Sequence, residues 1–411
     1  MKLNEVLKTE LEKIRPSSTD ISFLESTATD FISLLKGARL KAYLGGSLAK
    51  GTLTRGEKKP DIDIFVVFET EEKTFGLGDI LGKIKLPGKL KLVHGSRDYY
   101  RIDCEEFILE VIPVVKVIDP LDAVNVTDVS LRHVAYVRDA IERDSVLGDQ
   151  IRLAKAFTRA NRIYGAESYI HGFSGYSLEV LVIHYGSFVK FLKGLKSGGV
   201  IDTLSQHRNK TEVLREINKA KTKGPIVVVD PTFKYRNISA GLGQKTFDEF
   251  RLVAEEFLKN PSLDFFEKKE LDVGSLKEFA SRKGARFIEL KLSTDRQEGD
   301  IAGTKMKKFL DYLVSEFNRK GQEILKVEFD YPGVLQNANG YIIVVEKNEV
   351  EIRGPSVDMT EAVKKFKKAH KGYTMRKGVL YFNKAVSVDE LVKTASLKVG
   401  VEMGASGKII N

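Results

Sequence analysis

Residues 61–68 read Asp-Ile-Asp-Ile-Phe-Val-Val-Phe, and the alternation leaves the chain little freedom there. Side chains at i and i+2 of a strand point the same way, so Asp61 and Asp63 share one face while Ile62 and Ile64 enter the opposite layer. Two carboxylates roughly 7 Å apart along one face repel each other in a poorly solvated site unless cations neutralise them. The pair is a candidate metal bracket. A solvated strand end is the other reading of an Asp-x-Asp taken alone.

Upstream, residues 45–52 are Gly-Gly-Ser-Leu-Ala-Lys-Gly-Thr. Gly45 and Gly46 allow a sharp turn and bring backbone N–H groups near an anion. Ser47 adds a hydroxyl donor, and Lys50 a cation one turn later if a helix starts there. A phosphate cradle beside a metal bracket is the equipment of phosphoryl transfer. Rival motifs fail on detail. A P-loop needs lysine between its last glycine and the Ser/Thr, but Gly51 runs straight into Thr52. A nucleophile elbow fails because Ala49 stands where its second glycine belongs, and Ser47-Leu-Ala-Lys50 lacks the companion motifs of serine acylases.

Cys104 is the single cysteine and the six histidines are scattered, so any metal must be held by oxygen ligands, which favours magnesium or manganese. Lys and Arg number 67 against 57 Asp and Glu, a surplus that suits a polyanionic partner without requiring one. The longest apolar runs are far too short to span a bilayer. The first helix carries acids and no apolar signal core, so no membrane association and a cytoplasmic address are expected.

Three regions follow from the patterning. Residues 1–140 give two helices and then extended runs at LKAYLG, DIDIFVVF, YYRI and FILEVIPVVKV, a small mixed α/β head. Residues 141–258 are mostly helical; Leu178, Leu181, Val182, Tyr185, Phe188, Val189 and Leu192 repeat as one buried helical face, on which His184 is expected to pack. IVVVDPTFKYRN interrupts with one strand and a turn. Residues 259–411 alternate strands and helices, as in small α/β sandwiches that can present a sheet to RNA. Arg152, Lys155, Arg159 and Arg162 fall in one arc of a helix at about 100° per residue, a stripe suited to a polyphosphate or RNA backbone.

Gly-Ser followed by Asp-x-Asp on a strand resembles the signature of the DNA polymerase beta-like nucleotidyltransferases. VTDVSLRHVAYV (126–137), IRLAKAFTRANRIYGAESYIHGFSGYSLEVLVIHYGSF (151–188), VVVDPTFKYRNIS and RGPSVDMTEAVKKFKKAH narrow the resemblance to archaeal-type (class I) CCA-adding enzymes over nearly the whole chain. It implies an α+β fold: a polymerase beta-like nucleotidyltransferase head with a mixed sheet, a mostly helical central domain for nucleotide recognition, and an α/β RNA-binding C-terminal region. The activity implied is template-independent addition of C, C and A to the tRNA acceptor end from CTP and ATP, with two Mg2+ per site and Mn2+ as a substitute. A poly(A) or uridylyl RNA polymerase and a catalytically silent RNA-binding relative are the other readings, and the oligomeric state stays open, a homodimer included.

The same resemblance assigns Asp61, Asp63 and Glu110 to catalysis and the metals, and Gly46, Ser47 and Lys50 to the triphosphate. It puts His133, Lys155 and Tyr164 around the ribose and phosphates, and Arg236 at the base. Family members usually carry Asp where this chain has Glu110. The longer side chain asks the strand to sit slightly back, or the metal to be met through a different oxygen; a salt bridge to Arg101 is the structural alternative. Lys364, Lys365, Lys367, Lys368 and Lys371 form a run that could contact tRNA backbone.

Overall fold

The computed structural model describes residues 2–410 apart from 57, 58, 334 and 348. Backbone contacts group residues 1–269 into one compact unit and 270–411 into a second.

The first unit opens with α1 (Leu3–Ile14) and α2 (Ser18–Gly37). Ser17 caps α2: its hydroxyl accepts from the Asp20 N–H at 3.0 Å, and the Asp20 carboxylate accepts from the Ser17 N–H at 3.1 Å, a reciprocal capping box. Leu24, Ala28, Phe31 and Leu35 line one side of α2 and share a core with Ile62, Ile64 and Val66. Next come β1 (Lys41–Leu44), α3 (Gly46–Ala49), β2 (Asp61–Phe68), α4 (Glu71–Thr74), α5 (Leu77–Leu81), β3 (Lys89–Val93), β4 (Tyr99–Asp103) and β5 (Ile108–Val115).

The five strands form one sheet in the order β1-β2-β5-β4-β3. β2 and β5 pair in parallel and the other neighbours antiparallel, so the sheet is mixed. In the parallel ladder Asp61 stands opposite Ile108 and Asp63 opposite Glu110. Leu109 and Val111 join the core under α2. Glu110 takes the other face, where Phe65 and Val114 pack with Val134. Strand β3 was not foreseen; it is a mostly exposed edge strand and lacks the apolar run that marks its neighbours.

The rest of this unit holds α6 (Ser130–Arg143), α7 (Val146–Ala160), α8 (Gly175–Tyr185), α9 (Phe188–Gly194), α10 (Lys210–Glu216) and α11 (Gln244–Lys259). A three-stranded sheet of β6 (Gly199–Asp202), β7 (Ile226–Asp230) and β8 (Phe233–Asn237) lies among them, so the segment expected to give one strand and a turn gives two antiparallel strands. The apolar run at 178–192 is two helices rather than one. Gly186 closes α8 at φ +77°, in the left-handed region that glycine tolerates, and the Ser187 hydroxyl caps α9. His184, expected in the core, is exposed at the end of α8. Val6 and Ile14 of α1 are buried with Ile151, Phe157 and Phe257, which ties the N-terminal helix to the helical region rather than to the head sheet.

The second unit contains α12 (Val273–Arg282), β9 (Arg286–Thr294), α13 (Asp300–Arg319), β10 (Glu323–Asp330), β11 (Asn337–Val345), β12 (Glu349–Ser356), α14 (Thr360–Ala369), β13 (Thr374–Arg376), β14 (Val379–Ala385), α15 (Val388–Met403) and β15 (Ala405–Ile409). An antiparallel sheet β10-β11-β9-β15 packs Ile288, Leu290 and Ile342 against Phe309, Leu313 and Val392 of α13 and α15. The smaller sheet β12-β14-β13 carries α14: Phe366 fills the space over Gly354 and His370 stacks on Phe382. Lys364, Lys365, Lys367, Lys368 and Lys371 are all exposed.

The turn between β1 and β2 is the tightest constraint on the head. A Cβ at Gly46 would lie 1.6 Å from a carboxylate oxygen of Asp63, and one at Gly45 would lie 2.2 Å from the Phe65 ring. Gly46 also has φ +61°. Gly51, at φ +68°, has nothing within 4 Å of such a Cβ. Gly51→Ala is therefore expected to cost only the backbone strain, about 1–2 kcal/mol. Gly46→Ala should cost roughly 1–3 kcal/mol more for overpacking. Urea unfolding of the two variants checks the ordering; equal losses would show that Asp63 yields freely.

Candidate active site

The sheet presents Asp61, Asp63 and Glu110 on one face. Asp61 is exposed and the other two half-buried. Burial first, and then the charge of Asp61, push the Asp63 carboxyl up to about 6, against the pull of Lys50 and Lys155. Burial, then Asp63 and Asp61, push Glu110 up to about 8, with Arg101 and the Tyr99 hydroxyl offsetting part of the rise. Arg101 stands opposite Glu110 in the β4–β5 register, but its guanidinium donates to Asp103 at 2.7 Å.

The three carboxylates share a face without converging: among the described residues no three His, Cys, Asp or Glu side chains are grouped closely enough to hold an ion. The donor chemistry nonetheless fits a hard divalent cation. All three offer oxygens, and in Asp63 and Glu110 burial and like charge outweigh the pull of the protein's own cations.

Beside them lies a buried cationic cluster. Gly46 starts α3, which carries Ser47 and leads into Lys50. Lys50 Nζ donates to Glu179 Oε2 at 2.9 Å. Lys155 Nζ, on α7, donates to Glu179 Oε1 at 2.8 Å and to Thr52 Oγ1 at 2.9 Å. Thr52 Oγ1 itself donates to Glu179 Oε1 at 2.8 Å. Burial alone would raise Glu179, but Lys155 and Lys50 hold it down to about 2.

A second cluster centres on Asp230 at the end of β7. Its Oδ2 lies 3.2 Å from His133 Nε2 and accepts from Arg236 at 3.1 Å. Its Oδ1 accepts from the Tyr176 hydroxyl at 3.1 Å and from the Thr232 N–H at 2.8 Å. Arg236 also reaches His133 Nε2 at 3.0 Å. Burial lowers the His133 pKa, and the Asp230 carboxylate offsets part of that fall. His133 stacks on Tyr176 at 3.9 Å, and Lys50 Nζ sits 5.5 Å from the same ring, which links the two clusters. Tyr164 is half-buried, its ring under Arg159 and its hydroxyl against the Cα of Gly175 at the start of α8.

The structure thus gathers Asp61, Asp63, Glu110, Lys50 and Lys155, and separately His133 and Arg236. The basic stripe of α7 has a different use from a free backbone-binding surface. Arg152 donates to the carbonyls of Gly51 and Leu53, Lys155 to Thr52 and Arg159 to the Thr54 hydroxyl, so the helix grips the segment that follows Lys50. Glu179, Tyr176, Asp230 and Thr52 were given no role by the sequence reading. Glu179 carried a usable signal: a lone acid within Leu178–Ile183 must be paired if it is buried.

A family model described as "Nucleotidyltransferase domain" matches residues 24–141, and one described as "tRNA nucleotidyltransferase, second domain" matches residues 149–267. A solved structure of a cytoplasmic RNA terminal U-transferase superposes with a TM-score of 0.51 at 11% identity, covering 66% of this chain and 99% of that one. A structure of Cid1, described for its RNA terminal uridylyl transferase activity, gives 0.50 at 13%, covering 65% and 98%. At such identities the likeness concerns fold, and the fold is that of a polymerase beta-like nucleotidyltransferase.

The CCA-adding enzyme of Nanoarchaeum equitans is 30% identical over 362 residues, 85% of this chain and 86% of that protein. Those of Thermococcus kodakarensis and Methanocaldococcus jannaschii are each 28% identical, over 79% and 74% of this chain and 74% and 70% of theirs. The chain belongs to the CCA-adding enzyme family. No helix among the described residues is long and apolar enough to cross a membrane.

The carboxylate face predicts a pH dependence. A group whose folded pKa is raised binds its proton more tightly when folded, so its stabilisation is full below the unfolded value and lost as pH rises through the folded one. For Glu110 that window runs from 4.5 to about 8, and for Asp63 from 3.8 to about 6. In metal-free protein, Glu110→Gln should remove part of the decline in melting temperature between those limits and melt above wild type at pH 8. Parallel wild-type and variant curves across pH 5–8.5 would show that Glu110 is not held protonated.

Proposed function

We propose that this protein adds C, C and A to the 3′ end of tRNA, taking CTP and ATP and releasing pyrophosphate. One observation carries the assignment of its parts: Asp63 faces Glu110 across a parallel ladder, with Asp61 on the same face and Lys50 and Lys155 within electrostatic reach. On this reading Asp61, Asp63 and Glu110 hold two magnesium ions, with manganese as a substitute. Bound magnesium supplies charge neutralisation at the triphosphate and a lowered pKa for the attacking hydroxyl.

The tRNA 3′-oxygen bonds to the α-phosphorus, its proton is lost, and the bond from that phosphorus to the bridging oxygen breaks as pyrophosphate leaves. Lys50 and Lys155, with Ser47 and the backbone at Gly46, bind the triphosphate. His133 and Tyr164 position the ribose and phosphates. Arg236, steered by Asp230, offers its donors to the base: a guanidinium fork serves acceptors on either cytosine or adenine. Lys364, Lys365, Lys367 and Lys368 of α14, with Lys371 just beyond it, contact the tRNA backbone.

Incubating the protein with tRNA lacking its CCA end, magnesium and each nucleotide tests the reading. CTP alone should yield two additions, and ATP should then add one A and stop. Asp61→Asn and Asp63→Asn should each cut addition by orders of magnitude while tRNA affinity holds. A long homopolymer tail would make the protein a terminal polymerase, and intact tRNA binding with no product a silent relative. Neutralising the lysines of α14 should lower the log–log salt slope of tRNA affinity by about 0.7–0.9 per lost contact; an unchanged slope would make that run solvated surface.

A further inference from the structure

Glu179 is the carboxylate to which both ammonium groups of the site are tied. Its side chain is 1% exposed and those of Lys50 and Lys155 12% and 3%. Its oxygens are divided between them, Oε2 to Lys50 and Oε1 to Lys155 and Thr52. The four residues come from three places: Lys50 and Thr52 from the segment after α3, Lys155 from α7, Glu179 from α8.

A buried ion pair needed only for stability would balance one cation with one anion, because each buried charge costs several kcal/mol to desolvate. Here two cations meet one anion and leave a surplus positive charge. That surplus lies beside the carboxylate side of the site, because α3, which leads into Lys50, starts at Gly46 hard against the Asp63 carboxylate. A lysine is a flexible point charge with three donors and no geometry of its own, so something must aim it.

We infer that Glu179 is a positioning residue for nucleotide recognition: it sets Lys50 and Lys155 side by side as a preformed receptor for the charged phosphates beyond the α-phosphate. The inference rests on the reading that these lysines bind the triphosphate. Glu179 touches no nucleotide on this account and acts through the two lysines. It also explains why Thr52 is fully buried: its hydroxyl accepts from Lys155 and donates to Glu179, closing the cluster from below.

The test is equilibrium binding of CTP and CMP, alongside steady-state addition to tRNA, for wild type, Glu179→Gln, Glu179→Asp and Lys155→Met. Glu179→Gln keeps the shape but removes the charge that holds two ammonium groups together. It should weaken CTP about tenfold, the scale of a lost charge-assisted hydrogen bond, and leave CMP within about twofold. KM for CTP and ATP should rise by the same factor, with kcat changed less. Glu179→Asp, too short to span both lysines, should fall between the two. CTP and CMP weakened alike would reduce Glu179 to a structural ion pair, and neither weakened would overturn the inference outright. If Glu179→Gln does not fold, Glu179→Asp decides on the same CTP-to-CMP ratio, an unchanged ratio refuting the proposal. Lys155→Met separates the two levels. Normal CTP binding there would sink the triphosphate reading itself, whereas weakened CTP in Lys155→Met with none in Glu179→Gln would sink only the positioning role.

Discussion

Glu110 faces Asp63 across β2 and β5, and negative charge gathered on a half-buried sheet face must be answered by positive charge close by. Within the protein the answer comes from Lys50 and Lys155, which pull Asp63 down while burial and Asp61 push it up. Neither lysine belongs to the strands that carry the acids. Each has to be delivered by a neighbouring element, and much of the first unit can be understood as that delivery. The double glycine lets the chain leave β1 and pass directly over Asp63, so that Lys50 arrives beside it. Helix α7 then fixes the segment that follows, through Arg152, Lys155 and Arg159.

Two buried carboxylates, Glu179 and Asp230, organise the cations in turn. Glu179 takes the two lysines, and Asp230 takes His133, Tyr176 and Arg236. Tyr176 joins the clusters, since its ring stacks on His133 and lies 5.5 Å from Lys50 Nζ. The two clusters are thereby connected through residues of α6, α7, α8 and β7–β8. If they receive a nucleotide as proposed, it meets side chains already held by hydrogen bonds, which limits the ordering cost of binding.

Strand β2 was legible because its pattern is local: alternating acids and isoleucines state both the strand and its face. Lys155, His133 and Arg236 were reached through the family resemblance, and the structure brings His133 and Arg236 onto one carboxylate. What stayed hidden depended on partners distant in sequence. Glu179 binds residues 129 and 24 positions away, and no window of sequence announces that. The basic stripe of α7 illustrates the same limit in reverse. Arg162 falls beyond the helix, which ends at Ala160, and takes left-handed backbone at φ +61°; the carbonyls that meet the rest of the stripe belong to residues 51–53. Gly186 divided a continuous apolar run because a left-handed residue ends a helix whatever the hydrophobic pattern around it.

Glu110 is the position at which the family resemblance leads one to expect an aspartate, and the sheet decides how a longer side chain is absorbed there. A glutamate carries its carboxylate about one C–C bond, ~1.5 Å, further than an aspartate, so either the strand retreats or the side chain bends. Retreat is closed off. β5 is in continuous register with β2 from Ile108 to Val115 and is flanked on its other side by β4. Adjacent strands are held about 4.7–4.9 Å apart by their hydrogen bonds, so moving β5 back would break a ladder on one side or crowd the other. The extra length must be taken up by the rotamer of Glu110, a longer stem with one more rotatable bond.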